Sequence, residues 1–334
     1  MSNGCICCTL REDLMVEVER LARQNKFDYL LIESTGISEP IPVAQTFHFE
    51  SEDGAVDLRR FSYIDTMVTV VDAYHFLKDF SSSDYLTTRA LTNIEGDHRT
   101  IVNLLTDQIE FANVILINKE DLVTQTELEE LSAILKKLNP EATLIPTTQS
   151  NVPLRSIINT GLFDYDKAEA SAGWIKELEN EHVPETEEYG IGSFVFRSKK
   201  PFHPDRFLHY LNTDFLQNII RSKGLFWLAS RSQHAIVWNT AGSSIKVENA
   251  GVWWGSMSPS ERKKYAAFVE NKNHIEKDWD SVFADRKIEL VFIGQDLEKE
   301  NMISNLNRCL LTEQEINMWK NQSFPETDTW PIDR

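Results

Sequence analysis

Three runs, Phe27–Ile32, Met67–Val71 and Asn113–Ile117, constrain this chain more than any other feature. Each is almost continuously apolar rather than alternating, which is the pattern of strands buried on both faces in a parallel sheet. Helical spacing fills the intervals. Leu10, Leu14, Val18, Leu21 and Ala22 recur with a helical period ahead of the first run. Thr9 and Glu12 have the Thr-x-x-Glu spacing of a capping box, so this helix is predicted to begin there and to run to about Asn25. Arg99–Ala112 predicts a helix before the third run. Thr126–Leu138 predicts another, stopped by Asn139-Pro140 and followed by a strand over Ala142–Pro146. Strand and helix in alternation predict an α/β fold around a doubly wound parallel sheet.

At 334 residues there is room for two domains. Between Phe163 and Tyr189 nine acids stand against two lysines, so 163–189 is read as an acidic linker between 1–162 and 190–334. Beyond it, strands are predicted at Ile191–Arg197, Leu225–Ala229, Ala235–Trp238, Ile245–Glu248 and Ile288–Ile293. Helices are predicted at Pro204–Leu211, Pro259–Asn271 and Met302–Leu310. Strands in succession flanked by helices predict a smaller α+β domain with an antiparallel sheet. Its five tryptophans between Trp227 and Trp279 read as core before they read as a binding surface.

A net charge of −18 excludes a nucleic-acid surface, which needs a dense Lys/Arg footprint. The apolar runs are too short to span a bilayer, and Met1-Ser2-Asn3-Gly4 has no secretory character, so a cytoplasmic protein with no membrane partner is expected. In that reducing setting clustered thiols point to metal.

Three motifs carry chemistry. Cys5, Cys7 and Cys8 can turn three soft sulfur ligands toward one Zn²⁺, Cu(I) or Fe–S centre and leave a fourth position open; the alternative is a run of small buried thiols. Glu33-Ser34-Thr35-Gly36 follows the first apolar run. There Glu33 is positioned for Mg²⁺ and the Gly36 N–H for a γ-phosphate, unless the stretch is only a strand-to-loop turn. Asn118-Lys119-Glu120-Asp121 follows the third run. A carboxylate at Asp121 pairs with the N1–H and 2-amino group of guanine, while the Lys119 stem lies along the base; adenine lacks that donor pair. Thr147 and Thr148, after the fourth strand, are placed for a second base-contacting loop.

Taken together, Ser2-Asn3-Gly4-Cys5-Ile6-Cys7-Cys8, Glu33-Ser34-Thr35-Gly36 with Glu39-Pro40, and Asn118-Lys119-Glu120-Asp121 resemble the CobW-type metallochaperone GTPases. Arg221-Ser222-Lys223-Gly224, Gly251-Val252-Trp253-Trp254 and Glu289–Gly294 extend the resemblance into the second domain, whose details look closest to the zinc-homeostasis branch. The resemblance implies a P-loop GTPase-like sheet and delivery of zinc or cobalt to a metal-receiving client protein under control of GTP and GDP. It also implies a metal site at Cys5, Cys7 and Cys8. Catalytic contacts to Mg²⁺ and phosphate would fall at Glu33 and Gly36, and guanine-nucleotide contacts at Asn118, Lys119 and Asp121.

One departure stands out: the sequence contains no Gly-x-x-x-x-Gly-Lys-Ser/Thr, the loop that cradles the phosphates. The sheet is therefore expected to be incomplete, without its first strand and Walker A loop. Met1 falls where the family continues from upstream, so the chain reads as a fragment lacking about 60 to 90 residues, one or two βα units. Tight GTP binding and hydrolysis by this chain alone are not expected. The alternative is a non-enzymatic module that binds metal or a partner.

Overall fold

The computed structural model describes residues 11–34, 36, 38–48, 57–80, 100–170, 172–179, 189–213, 218–242, 244–325 and 328–331. The chain forms two compact units, Met1–Lys176 and Glu177–Arg334.

The first unit runs α1 (Arg11–Arg23), α2 (Pro40–His48), β1 (Val68–Asp72), α3 (Phe76–Phe80), α4 (Ile101–Glu110), β2 (Val114–Asn118), α5 (Gln125–Leu138), β3 (Thr143–Thr147), α6 (Tyr165–Ala170) and α7 (Gly173–Glu179), the last crossing the division. The strands make a parallel sheet in the order β1–β2–β3. Central β2 buries all of Val114–Ile117, as an unalternating apolar run requires. The N-cap of α4 is Thr100, and that of α5 is Thr124, in a full capping box with Glu127. Leu131, Ile134, Leu135 and Leu138 form the buried stripe of α5.

Asn139, wholly buried, ties this βα layer together. Its Nδ2 donates to the carbonyls of Ile109, Glu110 and Ala112 at the end of α4. Its Oδ1 accepts the N–H groups of Glu141 and Ala142 before β3. One side chain thus takes up carbonyls at and just beyond the C-terminal end of α4 and pins the start of the next strand.

The run Phe27–Ile32 departs from the buried strand expected of it. It is in no ladder, and Phe27, Leu30 and Leu31 are 65%, 45% and 78% exposed. A strand needs a neighbour to take its backbone groups, and no ladder among the described residues forms on the outer edge of β1, where Val68 and Val70 are also exposed. The run is held instead by Tyr29, whose hydroxyl donates to Asp65 Oδ2 at 2.9 Å. Asp65 also accepts the Thr66 hydroxyl and the N–H groups of Thr160 and Gly161. Burial pushes this carboxyl up, but the four hydrogen bonds outweigh it and hold Asp65 at about 2.

The second unit holds β4 (Ile191–Ser198), α8 (Pro204–Thr213), β5 (Ile219–Phe226), β6 (His234–Ala241), β7 (Ser244–Val252), α9 (Pro259–Arg262), α10 (Ala266–Glu270), α11 (Lys272–Lys277), β8 (Ile288–Gln295), α12 (Lys299–Cys309) and α13 (Glu313–Lys320). The sheet is antiparallel in the order β4–β8–β5–β6–β7. Its core includes Phe202, Phe207, Phe226, Trp227, Trp238, Leu290, Phe292 and Leu306, so Trp227 and Trp238 are core residues, as is Trp253. Two expectations are corrected. The strand placed at Leu225–Ala229 lies earlier, over Ile219–Phe226, where it ladders with both β6 and β8. The helix placed over Pro259–Asn271 is broken into short pieces, because only Phe268 of that stretch is buried and no continuous apolar stripe holds it together.

Candidate functional site

The register of the parallel sheet sets Asp72 opposite Asn118 and Asn118 opposite Thr147, so all three strands finish in one row. Loops at the carboxyl ends of parallel strands are where ligands of such folds are held. Here the three loops are tied to one another. The Ala73 N–H donates to the Asn118 carbonyl at 2.9 Å, extending the ladder one step past β1. Asn118 Oδ1 accepts the Ser150 N–H at 2.9 Å, joining the loop after β2 to the loop after β3. In that third loop Gln149 and Ser150 are both left-handed, and the buried Thr147 hydroxyl donates to the Asn151 carbonyl.

Lys119 has φ 66 and ψ 34, a left-handed backbone at a non-glycine residue. From there its Nζ lies 2.6 Å from Asp72 Oδ2. The same oxygen is 2.9 Å from His75 Nδ1, which must carry the proton because an ionised carboxylate only accepts. Asp72 Oδ1 takes the N–H groups of Tyr74 and His75. Burial pushes the Asp72 carboxyl up, but Lys119 and then His75 hold it below the ordinary carboxylate range. A short 3₁₀ turn, Glu120–Leu122, follows Lys119 and presents Asp121 to solvent. A carboxylate on a loop fixed at both ends is suited to pairing with two adjacent N–H donors.

The structure therefore brings Asn118, Lys119 and Asp121 together at the sheet end. Glu33 and Gly36 form no hydrogen bond with them. Glu33 is exposed, and a Cβ built on Gly36 would meet nothing within 4 Å, so neither backbone strain nor crowding by the protein demands glycine there. The Gly36 carbonyl accepts Gln108 Nε2 of α4 at 3.1 Å, and the same nitrogen donates to the Ser38 carbonyl. The carbonyl of Gln108 in turn accepts the Thr69 hydroxyl, three residues and about 10 Å along β1 from Asp72. Cys5, Cys7 and Cys8 lie outside the described residues, as does Thr9. Among the described residues no three His, Cys, Asp or Glu side chains are grouped to hold a metal ion, and no helix is long and apolar enough to cross a membrane.

Sequence reasoning singled out no role for Asp72 or Ser150. Asp72 had a legible signal, an acid closing an apolar strand; Ser150 had none, since its part is played by a backbone N–H.

Residues 1–146 match the CobW/HypB/UreG nucleotide-binding domain, and residues 191–310 match the cobalamin synthesis protein cobW C-terminal domain. The chain is 44% identical over 323 residues to zinc-regulated GTPase metalloprotein activator 1 of Dictyostelium discoideum, covering 96% of this chain and 67% of that protein. It is 24% identical over 326 residues to zinc chaperone Rv0106 of Mycobacterium tuberculosis, covering 94% and 75%. Among solved structures, the Zn(II)-bound YjiA GTPase from E. coli aligns over 93% of this chain and 79% of its own, with 18% identity and a TM-score of 0.37.

Proposed function

The chain belongs to the CobW/HypB/UreG family, and on that premise we propose that it is a guanine-nucleotide-dependent zinc chaperone that passes its metal to a client protein. The observation that carries this reading is the row of strand ends Asp72, Asn118 and Thr147, with its loops cross-tied and Asp121 exposed beside them. Asp121 would pair with the N1–H and 2-amino group of guanine, and Asn118 and Lys119 would hold the loop and the base face. One relative whose name carries both GTPase and zinc, and another named a zinc chaperone, support the same pairing of ligands.

In this reading zinc is cargo, held by the thiolates of Cys5, Cys7 and Cys8. In sequence those cysteines precede α1 by three to six positions, and a helix N-terminus facing them would favour the ionised form. Glu33 would stand beside a Mg²⁺ that is otherwise held by phosphate oxygens and water, as that ion prefers. Gly36 would sense the γ-phosphate, and α1 is the short path between this region and the cysteines, so nucleotide state would set metal affinity. The sequence contains no phosphate-cradling Gly-x-x-x-x-Gly-Lys-Ser/Thr, so hydrolysis is not among the roles proposed for these residues. That same observation favours a second reading, a metal-binding module that does not respond to nucleotide.

Zinc titration under reducing conditions separates the two. One Zn²⁺ per chain, lost on joint Cys5→Ser, Cys7→Ser and Cys8→Ser substitution, is expected. Affinity should differ between saturating GDP and a saturating non-hydrolysable GTP analogue, with nucleotide occupancy confirmed in each titration. Equal affinities would leave the module and reject the switch.

A further inference from the structure

We propose that Asp72 is the positioning residue of the base site, holding Lys119 in its strained conformation and thereby setting where Asp121 points. This rests on the guanine reading above and adds the end of β1 to it. A left-handed non-glycine residue is strained and persists only where its surroundings hold it. At Lys119 that hold is visible: the ladder pair Asp72–Asn118 places the two loops side by side, and Nζ reaches Asp72 Oδ2 at 2.6 Å. The orientation is passed on through one turn, because the Leu122 N–H donates to the Lys119 carbonyl at 3.0 Å and Asp121 lies between them.

The hydrogen-bonding of Asp72 also decides what it does not do. Its two oxygens receive the N–H groups of Tyr74 and His75, the His75 ring and the Lys119 ammonium. An acid at the end of a β-strand is a common Mg²⁺ ligand, yet four donors leave this one spent on protein contacts. A bare surface ion pair, by contrast, would add a little stability and leave base selectivity untouched.

The experiment is calorimetric titration of GDP, inosine diphosphate, which lacks the 2-amino group, and xanthosine diphosphate. The proteins are the unaltered chain, Asp72→Asn, Lys119→Met, their double variant and Asp121→Asn, each with its melting curve. Asp72→Asn is expected to weaken GDP about three- to tenfold and to lower the GDP-to-inosine-diphosphate preference. The double variant should be no weaker than Lys119→Met alone, since Asp72 acts through that lysine. Asp121→Asn should shift preference toward the xanthosine nucleotide. If Asp121→Asn shifts preference while Asp72→Asn leaves selectivity unchanged, or if the two losses simply add, the positioning role is overturned and the guanine reading stands. If the unaltered chain binds no GDP at millimolar concentration, or Asp121→Asn shifts nothing, the guanine reading fails and the proposal falls with it.

Discussion

Arg231 grips Asp328 with two nitrogens, Nη2 to Oδ1 at 2.6 Å and Nε to Oδ2 at 2.9 Å, while the Asp328 side chain is wholly buried. The guanidinium also donates to the Trp330 carbonyl, and the Trp330 indole donates to the Pro204 carbonyl, so 328–330 is sewn to the core. Removing one partner strands the other charge in a dry site. Asp328→Ala is expected to cost about 3–5 kcal/mol in denaturant unfolding, and a joint Arg231→Met, Asp328→Leu variant far less.

Acid should find the same pair. Arg206 holds Glu315 at about 2 through a two-pronged contact, with both distances 2.8 Å, against partial burial. At Asp328 burial pushes the carboxyl up, but Arg231, Ser230 and the Trp330 amide bring it to about 2. Both values lie below the ordinary carboxylate range, so the stability they contribute is fully present above pH about 4 and drains away as pH falls toward about 2. Urea midpoints measured across that window should fall for the unaltered protein. They should fall less for Glu315→Gln with Asp328→Asn, from a lower start.

Gly224 has φ +149, and a Cβ there would lie 1.9 Å from the Glu289 carbonyl oxygen of the neighbouring strand. β5 and β8 pair at this point, Gly224 opposite Leu290. Nothing flexible can yield. Gly224→Ala is therefore expected to destabilise by about 2–5 kcal/mol, from crowding and backbone strain together, read as a lowered denaturation midpoint.

Asp65→Ala should free the segment that Tyr29 anchors. The Tyr29 phenol is pushed up first by its own burial and then by Asp65, so removing the acid should let it titrate at lower pH, followed by ultraviolet absorbance. Four donors, from Tyr29, Thr66, Thr160 and Gly161, lose this acceptor, a cost of about 2–4 kcal/mol. Proteolysis within the exposed Phe27–Leu31 stretch should quicken.

How far these features can be read in the sequence depends on whether their partners are local. Val114–Ile117 was legible as a buried strand because its apolar run really does have a strand on each side. Phe27–Ile32 has the same pattern and no ladder, since hydrophobicity records a demand for neighbours and not their presence. The Asn118-Lys119-Glu120-Asp121 motif and its place after a buried strand could be read in the sequence, but the clamp on Lys119 comes from Asp72, 47 positions away in the chain. Asn139 could be read as a helix stop; its hold on the end of α4 depends on a packing of α4 against α5 that no local spacing encodes. α13 escaped notice although Thr312 and Glu315 carry the same Thr-x-x-Glu signal seen at Thr9 and Glu12.

The hold that Asn139 exerts has a kinetic side. Because one buried amide grips the carbonyls of Ile109, Glu110 and Ala112 and the N–H groups of Glu141 and Ala142, fraying at either end of the intervening segment disturbs the other. Segment 109–142, which carries the whole of β2, α5 and the Asn118–Asp121 loop, should exchange its amide hydrogens as a single cooperative block.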